Sequence, residues 1–248
     1  MIAMIKSLIR TLLCCIMLCF LFVGPVYAAA AGTNEWDIPF LGTMAKPDGF
    51  VAVDIEQWAK DLTALYPAKK DKKTQPAAAV KVPANSPVKM PTDLKLYQLQ
   101  VSDGKVYHIA GAVALRDDTM DGANYFFSAF KTVQAQRIEE INRNITANIR
   151  SIQDAVAKTN LFTFQILDLS LFSRLNPNGG NDAIYTASGR VIVNMNGLIM
   201  PMHGKVYVAK RDGRLAALLI FTYDSDGKFW DTTADRLMTS LKYNKKDR

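Results

Sequence analysis

Few residues of this 248-residue chain have the chemistry to act on a substrate: two histidines, three cysteines and some clustered carboxylates. Cys14, Cys15 and Cys19 lie together near the amino terminus, inside an apolar run. None of them follows the small residues that a lipoprotein cleavage site requires. His108 and His203 fall in stretches where polar and apolar residues alternate, which is the mark of a strand. His108 shares its face with Ala110 and Ala112; His203 shares its face with Lys205, Tyr207 and Ala209, with Met202 and Val206 opposite. A hydrolytic triad or a zinc site would need one of these rings supported by partners. No spacing in the sequence supplies them, so both histidines read as sheet-surface or half-buried residues.

The carboxylates lead to the same place. Asp117, Asp118 and Asp121 cluster ahead of a helical stretch. Such a cluster can hold Ca²⁺, but acidic residues at a helix start are explained by the helix dipole alone. Asp224-Ser225-Asp226-Gly227 opens like a calcium loop, yet the fifth and sixth positions are Lys228 and Phe229, where that loop needs a carboxylate and a glycine. A turn is the better reading. Asn144-Ile145-Thr146 fits a glycosylation acceptor but lies inside a helical pattern. Gly-rich phosphate loops and a Gly-x-Ser-x-Gly elbow are absent. Phe126, Phe127 and Phe130 could line an apolar ligand pocket, although a helix stripe this apolar reads as core. No catalytic residue, metal ligand or cofactor is therefore assigned, and the chain reads as a non-enzyme.

The amino terminus reads as an export signal. Lys6 and Arg10 give a basic start, Thr11 to Val23 is an apolar run, and Gly24-Pro25 breaks it. Val26-Tyr27-Ala28 places small residues where a signal peptidase reads, so cleavage is expected after Ala28. An uncleaved membrane anchor is the alternative; it would need about 20 apolar residues and reaches that only through Pro25. All three cysteines leave with residues 1–28, and the remainder must hold its shape without disulfides. It keeps 28 basic and 23 acidic residues, a net charge of +5. That mild surplus favours anionic surfaces without demanding them. The expected location is extracytoplasmic: secreted, periplasmic or in the cell envelope.

The rest divides by composition. Residues 29–67 hold a strand, Phe50-Val51-Ala52-Val53, and a helix whose stripe is Ile55, Trp58, Leu62 and Leu65, ended by Pro67. Residues 68–93 are the next segment; from Ala68 to Pro91 it carries Lys69, Lys70, Lys72, Lys73, Lys81 and Lys89 against a single Asp71, with four prolines and no aromatic residue. Such a stretch buries too little apolar surface to offset its chain entropy, and reads as a basic flexible loop. Those six lysines are the candidate contact with an anionic surface. Residues 94–248 form the main domain. A hairpin opens it, and a three-residue turn with Gly104 left-handed would pair Val101 with Lys105, Leu99 with Tyr107 and Tyr97 with Ile109. A long helix follows, with its stripe from Phe126 to Val156 and Asp121 as its cap. Phe162, Phe164 and Ile166 alternate in one phase and Leu167, Leu169 and Leu171 in the other, which predicts a bulge at Ile166-Leu167. Three strands come next, Ile184 to Met195, Leu198 to Ala209 and Leu215 to Tyr223, with turns at Asn196-Gly197 and Asp212-Gly213. The last is apolar in both phases, so it should be covered on both faces. A closing helix has the stripe Trp230, Ala234, Leu237, Met238 and Leu241.

Hairpin, helix, antiparallel strands and closing helix make an α+β arrangement, an antiparallel sheet covered by helices. Gly204-Lys205-Val206-Tyr207-Val208, then Leu215 to Tyr223, then Phe229-Trp230 with Leu237, Ser240 and Leu241 resemble the PsbP-like superfamily. In that superfamily a strand pair ends in a helix opened by an aromatic residue and closed by a Ser-Leu step. The resemblance implies an α-β-α sandwich and a non-catalytic accessory or binding role, with no shared active site. The basic loop and the very long helix depart from the family pattern. The leading expectation is an exported, non-enzymatic envelope protein that binds a partner protein or an anionic polymer or lipid surface, and no nucleic acid. A binder of an apolar small molecule is the alternative; a hydrolase, needing a histidine beside a carboxylate and a serine, is the remote one.

Overall fold

The computed structural model describes residues 34–57, 94–116, 137–157, 163–176, 183–195, 197–211 and 214–243. The leader, the six lysines from Lys69 to Lys89, the Asp117–Asp121 cluster and Phe126, Phe127 and Phe130 lie outside them.

Nine strands and two helices make up the described fold. A small hairpin pairs β1 (Glu35–Ile38) with β2 (Gly42–Ala45). The main sheet has seven antiparallel strands in the order β3-β4-β5-β9-β8-β7-β6. These are β3 (Phe50–Asp54), β4 (Leu94–Ser102), β5 (Tyr107–Arg116), β6 (Thr163–Arg174), β7 (Ala183–Met195), β8 (Leu198–Arg211) and β9 (Arg214–Tyr223). Helix α1 (Arg137–Ala157) lies on one face of this sheet and helix α2 (Gly227–Thr239) on the other. The architecture is the α+β sandwich expected. β3, from the segment before the basic loop, is an edge strand of the same sheet. Asp54 ends β3 and starts the next helix: its Oδ1 accepts the N–H groups of Glu56 and Gln57, as an N-cap does.

Both faces of the sheet are core, which follows from strand periodicity. On β9, Leu215, Ala217 and Phe221 point to the α1 side while Ala216, Leu218 and Ile220 point to the α2 side. The double-phase apolar run thus becomes the central strand, as its pattern implies. On the α1 face, Ile141 is buried, and Ile138 and Ile145 pack beside it against Leu94, Leu96, Val113 and Phe172. On the α2 face, Trp230, Ala234, Leu237 and Met238 are at most 1% exposed and close over Leu99, Ala112 and Leu218. Trp36, Ile38, Leu41 and Met44 of the β1–β2 hairpin complete that layer. Each such large side chain contributes about 1.5–3 kcal/mol by leaving water. The hairpin is tied down at its other edge: Thr43 and Lys242 exchange backbone hydrogen bonds of 2.8 Å, and Ala45 N–H donates to Ser240 Oγ. A Cβ at Gly42 would stand 2.5 Å from the Lys242 carbonyl, so only glycine allows this approach.

The β4–β5 register differs from the one expected. The pairs are Val101 with His108, Leu99 with Ala110 and Tyr97 with Ala112. Four residues, 103–106, make the turn instead of three. Asp103 Oδ1 accepts the N–H groups of both Lys105 and Val106 at 2.8 Å, and this wider turn displaces the pairing. Gly104 is left-handed as foreseen, with φ 86°. The expectation rested on gathering all large apolar groups on one face. Here both faces are buried, and the large residues of β4 meet the alanines of β5 on the α2 side.

The predicted bulge is present, with Leu167 unpaired between Ile166 and Asp168. A second irregularity between Ser170 and Ser173 was not legible. There the side chain of Asn142 on α1 substitutes for a strand: Nδ2 donates to the Phe172 carbonyl at 3.0 Å and Oδ1 accepts the Phe172 N–H at 2.9 Å. One amide thus satisfies both backbone groups of the edge strand at its kink.

Candidate functional site

Polar side chains interrupt the α2 face of the sheet at one end. β8 presents His203, Lys205 and Tyr207 in alternation, and α2 crosses above with Asp231 and Asp235 one turn apart. His203 Nε2 and Asp231 Oδ1 share a hydrogen bond of 2.9 Å. Lys205 Nζ donates to Asp235 Oδ2 at 2.9 Å and lies 3.7 Å from Asp231. The Tyr207 phenol donates to Asp235 Oδ1 at 2.7 Å. Next to this ladder, Arg190 on β7 grips Asp224 with two hydrogen bonds, Nε to Oδ1 at 2.7 Å and Nη2 to Oδ2 at 2.6 Å. Asp224 begins a short 3₁₀ turn, Asp224–Asp226, that leads into α2.

These groups border an open cleft of about 380 Å³ lined by Asp168, Ser170, Ser188, Arg190, His203 and Lys228, among others. Its charges are set by their partners. The hydrogen bond from Arg190 holds the Asp224 carboxyl below its ordinary range. Burial alone would raise the Asp231 carboxyl; the hydrogen bond and charge of His203, with Lys205, outweigh it and hold that group low as well. Burial, then the bond to Asp235, pushes the Tyr207 phenol far above its usual value.

Gly227 is what lets α2 come this close. A Cβ there would stand 2.7 Å from His203 Cγ, so the first residue of the helix lies directly against the imidazole. Across the sheet, His108 stacks on Phe229 with ring centroids 3.7 Å apart and planes at 13°. Its Nδ1 is 3.5 Å from Asp226 and its Nε2 is 4.0 Å from Asp103. Both histidines are half-buried on the strand faces expected, and both have carboxylate neighbours that the sequence did not reveal. The missed partners are Asp224, Asp226, Asp231, Asp235 and Arg190. The one available signal was the four-residue spacing of Asp231 and Asp235 beside the apolar stripe of the closing helix.

His203 and Asp231 are a hydrogen-bonded His–Asp pair, and Ser170 and Ser188 border the same cleft. Neither serine hydrogen-bonds the ring; Asp231 is its partner among the described residues. Among the described residues no group of three or more His, Cys, Asp or Glu is placed to hold a metal ion. No described helix is long and apolar enough to cross a membrane.

No family model matches the chain, and no curated protein sequence does. Among solved structures, the solution structure of cyanobacterial PsbP from Synechocystis sp. PCC 6803 is similar. Its TM-score is 0.37 at 10% identity, over 89% of this chain and 100% of that one. A likeness of this size carries no argument about family or function.

Proposed function

We propose that the protein acts outside the cytosol as a non-enzymatic binding protein of the cell envelope, holding a partner or an anionic surface. The observation that carries this reading is that ionic groups along β7, β8, the 3₁₀ turn and α2 are paired with one another. Arg190 is closed on Asp224, His203 on Asp231 and Lys205 on Asp235. Groups spent on one another fix a shape, and a fixed, charge-balanced surface suits recognition. The leader-like amino terminus and the six lysines from Lys69 to Lys89 add compartment and charge.

Vesicles or wall polymers of negative charge test it. Association is expected to weaken as salt rises, because exposed charges are screened over about 10 Å at 0.1 M. Replacing the six lysines by glutamine should weaken it too. Association indifferent to both changes overturns the electrostatic reading.

The hydrolase reading has one observation in its favour, the His203–Asp231 pair beside two serines. Turnover of a simple ester that disappears in His203→Gln and in Ser188→Ala would establish it and displace the first.

A further inference from the structure

We infer that one end of the sheet is a lipid-contacting tip, led by the β7–β8 hairpin, which enters the interface of a bilayer. Five of the seven exposed large apolar residues among the described ones gather there: Val106, Tyr107, Leu198, Ile199 and Tyr223. The strand register brings them together. Gly111 pairs with Phe221 on β9, so β5 reaches the level of Tyr223 at Ile109, and Tyr107 and Val106 lie just beyond. Tyr223 in turn pairs with Met202 on β8, and Ile199 and Leu198 lie three and four residues further out. The β7–β8 hairpin therefore projects past the end of β9 by about 10–13 Å, at some 3.3 Å per residue, with β6 beside β7 as far as the level of Ile199.

Three features of the projection select a lipid over a protein groove or an added strand. Leu198 and Ile199, adjacent on a strand, point to opposite faces and are 56% and 63% exposed. A groove would cover one face; a bilayer surrounds both. From Leu198 to Pro201 the β8 edge has no β9 residue beside it, since that pairing begins at Met202. Pro201 on this edge lacks an N–H and blunts it against strand addition. Behind the tip stand Tyr107 and Tyr223, 66% and 44% exposed. Tyrosine is the side chain that settles at headgroup level, its ring in the apolar layer and its phenol in water. Lys105 and Lys228 are exposed at this same end, beside Asp103 and Asp226, and the chain without residues 1–28 is basic, with a net charge of +5. That sign suits anionic headgroups.

The inference rests on the envelope-binding reading and names its surface. Its test reads depth, because the apolar run from Thr11 to Val23 would by itself bring the full chain to a bilayer. The probe is a tryptophan placed by Ile199→Trp or Tyr107→Trp, with Glu140→Trp on α1 as the control. Vesicles of phosphatidylcholine carrying brominated chains, with and without phosphatidylglycerol, supply the quencher. Quenching of the tip probes beyond that of the Glu140→Trp control is expected. In the Tyr107→Trp chain, adding Leu198→Asp should shift insertion about tenfold or more toward water. Circular dichroism confirms that each variant is folded. Equal quenching at tip and control, or none at the tip, overturns the inference. Tip quenching that persists when the six lysines are glutamine, while salt-sensitive association is lost, upholds it and confines the electrostatic reading to the loop.

Discussion

Tyr207 on β8 donates its phenolic hydrogen bond to Asp235 on α2 at 2.7 Å, and Lys205 donates to the other oxygen of the same carboxylate. Two residues along a strand span about 6.7 Å and four along a helix about 6 Å, so the two ladders stay in step. His203, Lys205 and Tyr207 can therefore meet Asp231 and Asp235 without distorting either element. Tyr207→Phe removes the buried end of this ladder while keeping the ring. A loss of about 1–2 kcal/mol is expected, read as a lower urea midpoint with an unchanged slope.

The same phenol predicts behaviour in alkali. Burial and the bond to Asp235 raise Tyr207; burial, then the charges of Asp54 and Asp37, raise Tyr97. A value raised on folding stabilises fully below the unfolded value of about 10, and that stabilisation is lost as pH climbs toward the folded value. Tyr97 and Tyr207 among the described residues should therefore stay un-ionised, leaving phenolate absorbance at least two tyrosines short of the total while far-ultraviolet dichroism remains native. Complete ionisation of all tyrosines in the folded chain contradicts this.

Acid works in the opposite sense. The Asp231 carboxyl is held low, so its contribution is full above about pH 4, the unfolded range, and fades as pH falls through the folded value. Asp231→Asn removes that dependence. Stability measured from neutral pH downward should fall less steeply in this variant than in the parent below pH 4, after a lower starting value.

Gly227→Ala tests the contact between helix and imidazole. Alanine in a helix is ordinarily the better residue by about 0.5–1 kcal/mol. Here its Cβ meets the His203 ring at 2.7 Å and must displace it from Asp231. A net destabilisation of about 1–2 kcal/mol is expected. In a His203→Ala background the ring is gone and only the 3.0 Å approach to the Cβ of residue 203 remains, so the same change should cost much less. A cost that is equal in both backgrounds would show that the ring is not what opposes it.

Asn142→Leu removes the amide that stands in for a strand at the β6 kink. Two backbone groups of Phe172 lose these partners, at a cost of about 1–3 kcal/mol. Hydrogen exchange at the Phe172 amide should accelerate more than exchange in β9. Uniform acceleration would mean only that the whole fold had weakened.

The sequence was most readable where one pattern had one meaning. Leu215 to Phe221 could only be a doubly covered strand, Asn196-Gly197 only a tight turn, and the phase slip at Leu167 only a bulge. It was least readable where two patterns served equally. Leu94 and Leu96 form one apolar phase of β4 while Tyr97, Leu99 and Val101 form the other, and both are buried, so face-counting could not set the register. That decision fell to the Asp103 side chain. The β1–β2 hairpin escaped because four-residue strands carry too little periodicity. The site was hidden for another reason: Asp231 and Asp235 look like any solvated helix flank. Only the crossing of α2 over β8 gives them their cationic partners.

The order of strands has a consequence for how the fold closes. β3, β4 and β5 are joined to β6, β7 and β8 through β9 alone. Without Arg214 to Tyr223, each half is a three-stranded ribbon with a raw edge, and the central part of both core layers is missing. β9 is thus the keystone of the body: the two halves cannot lock together until it slides between them.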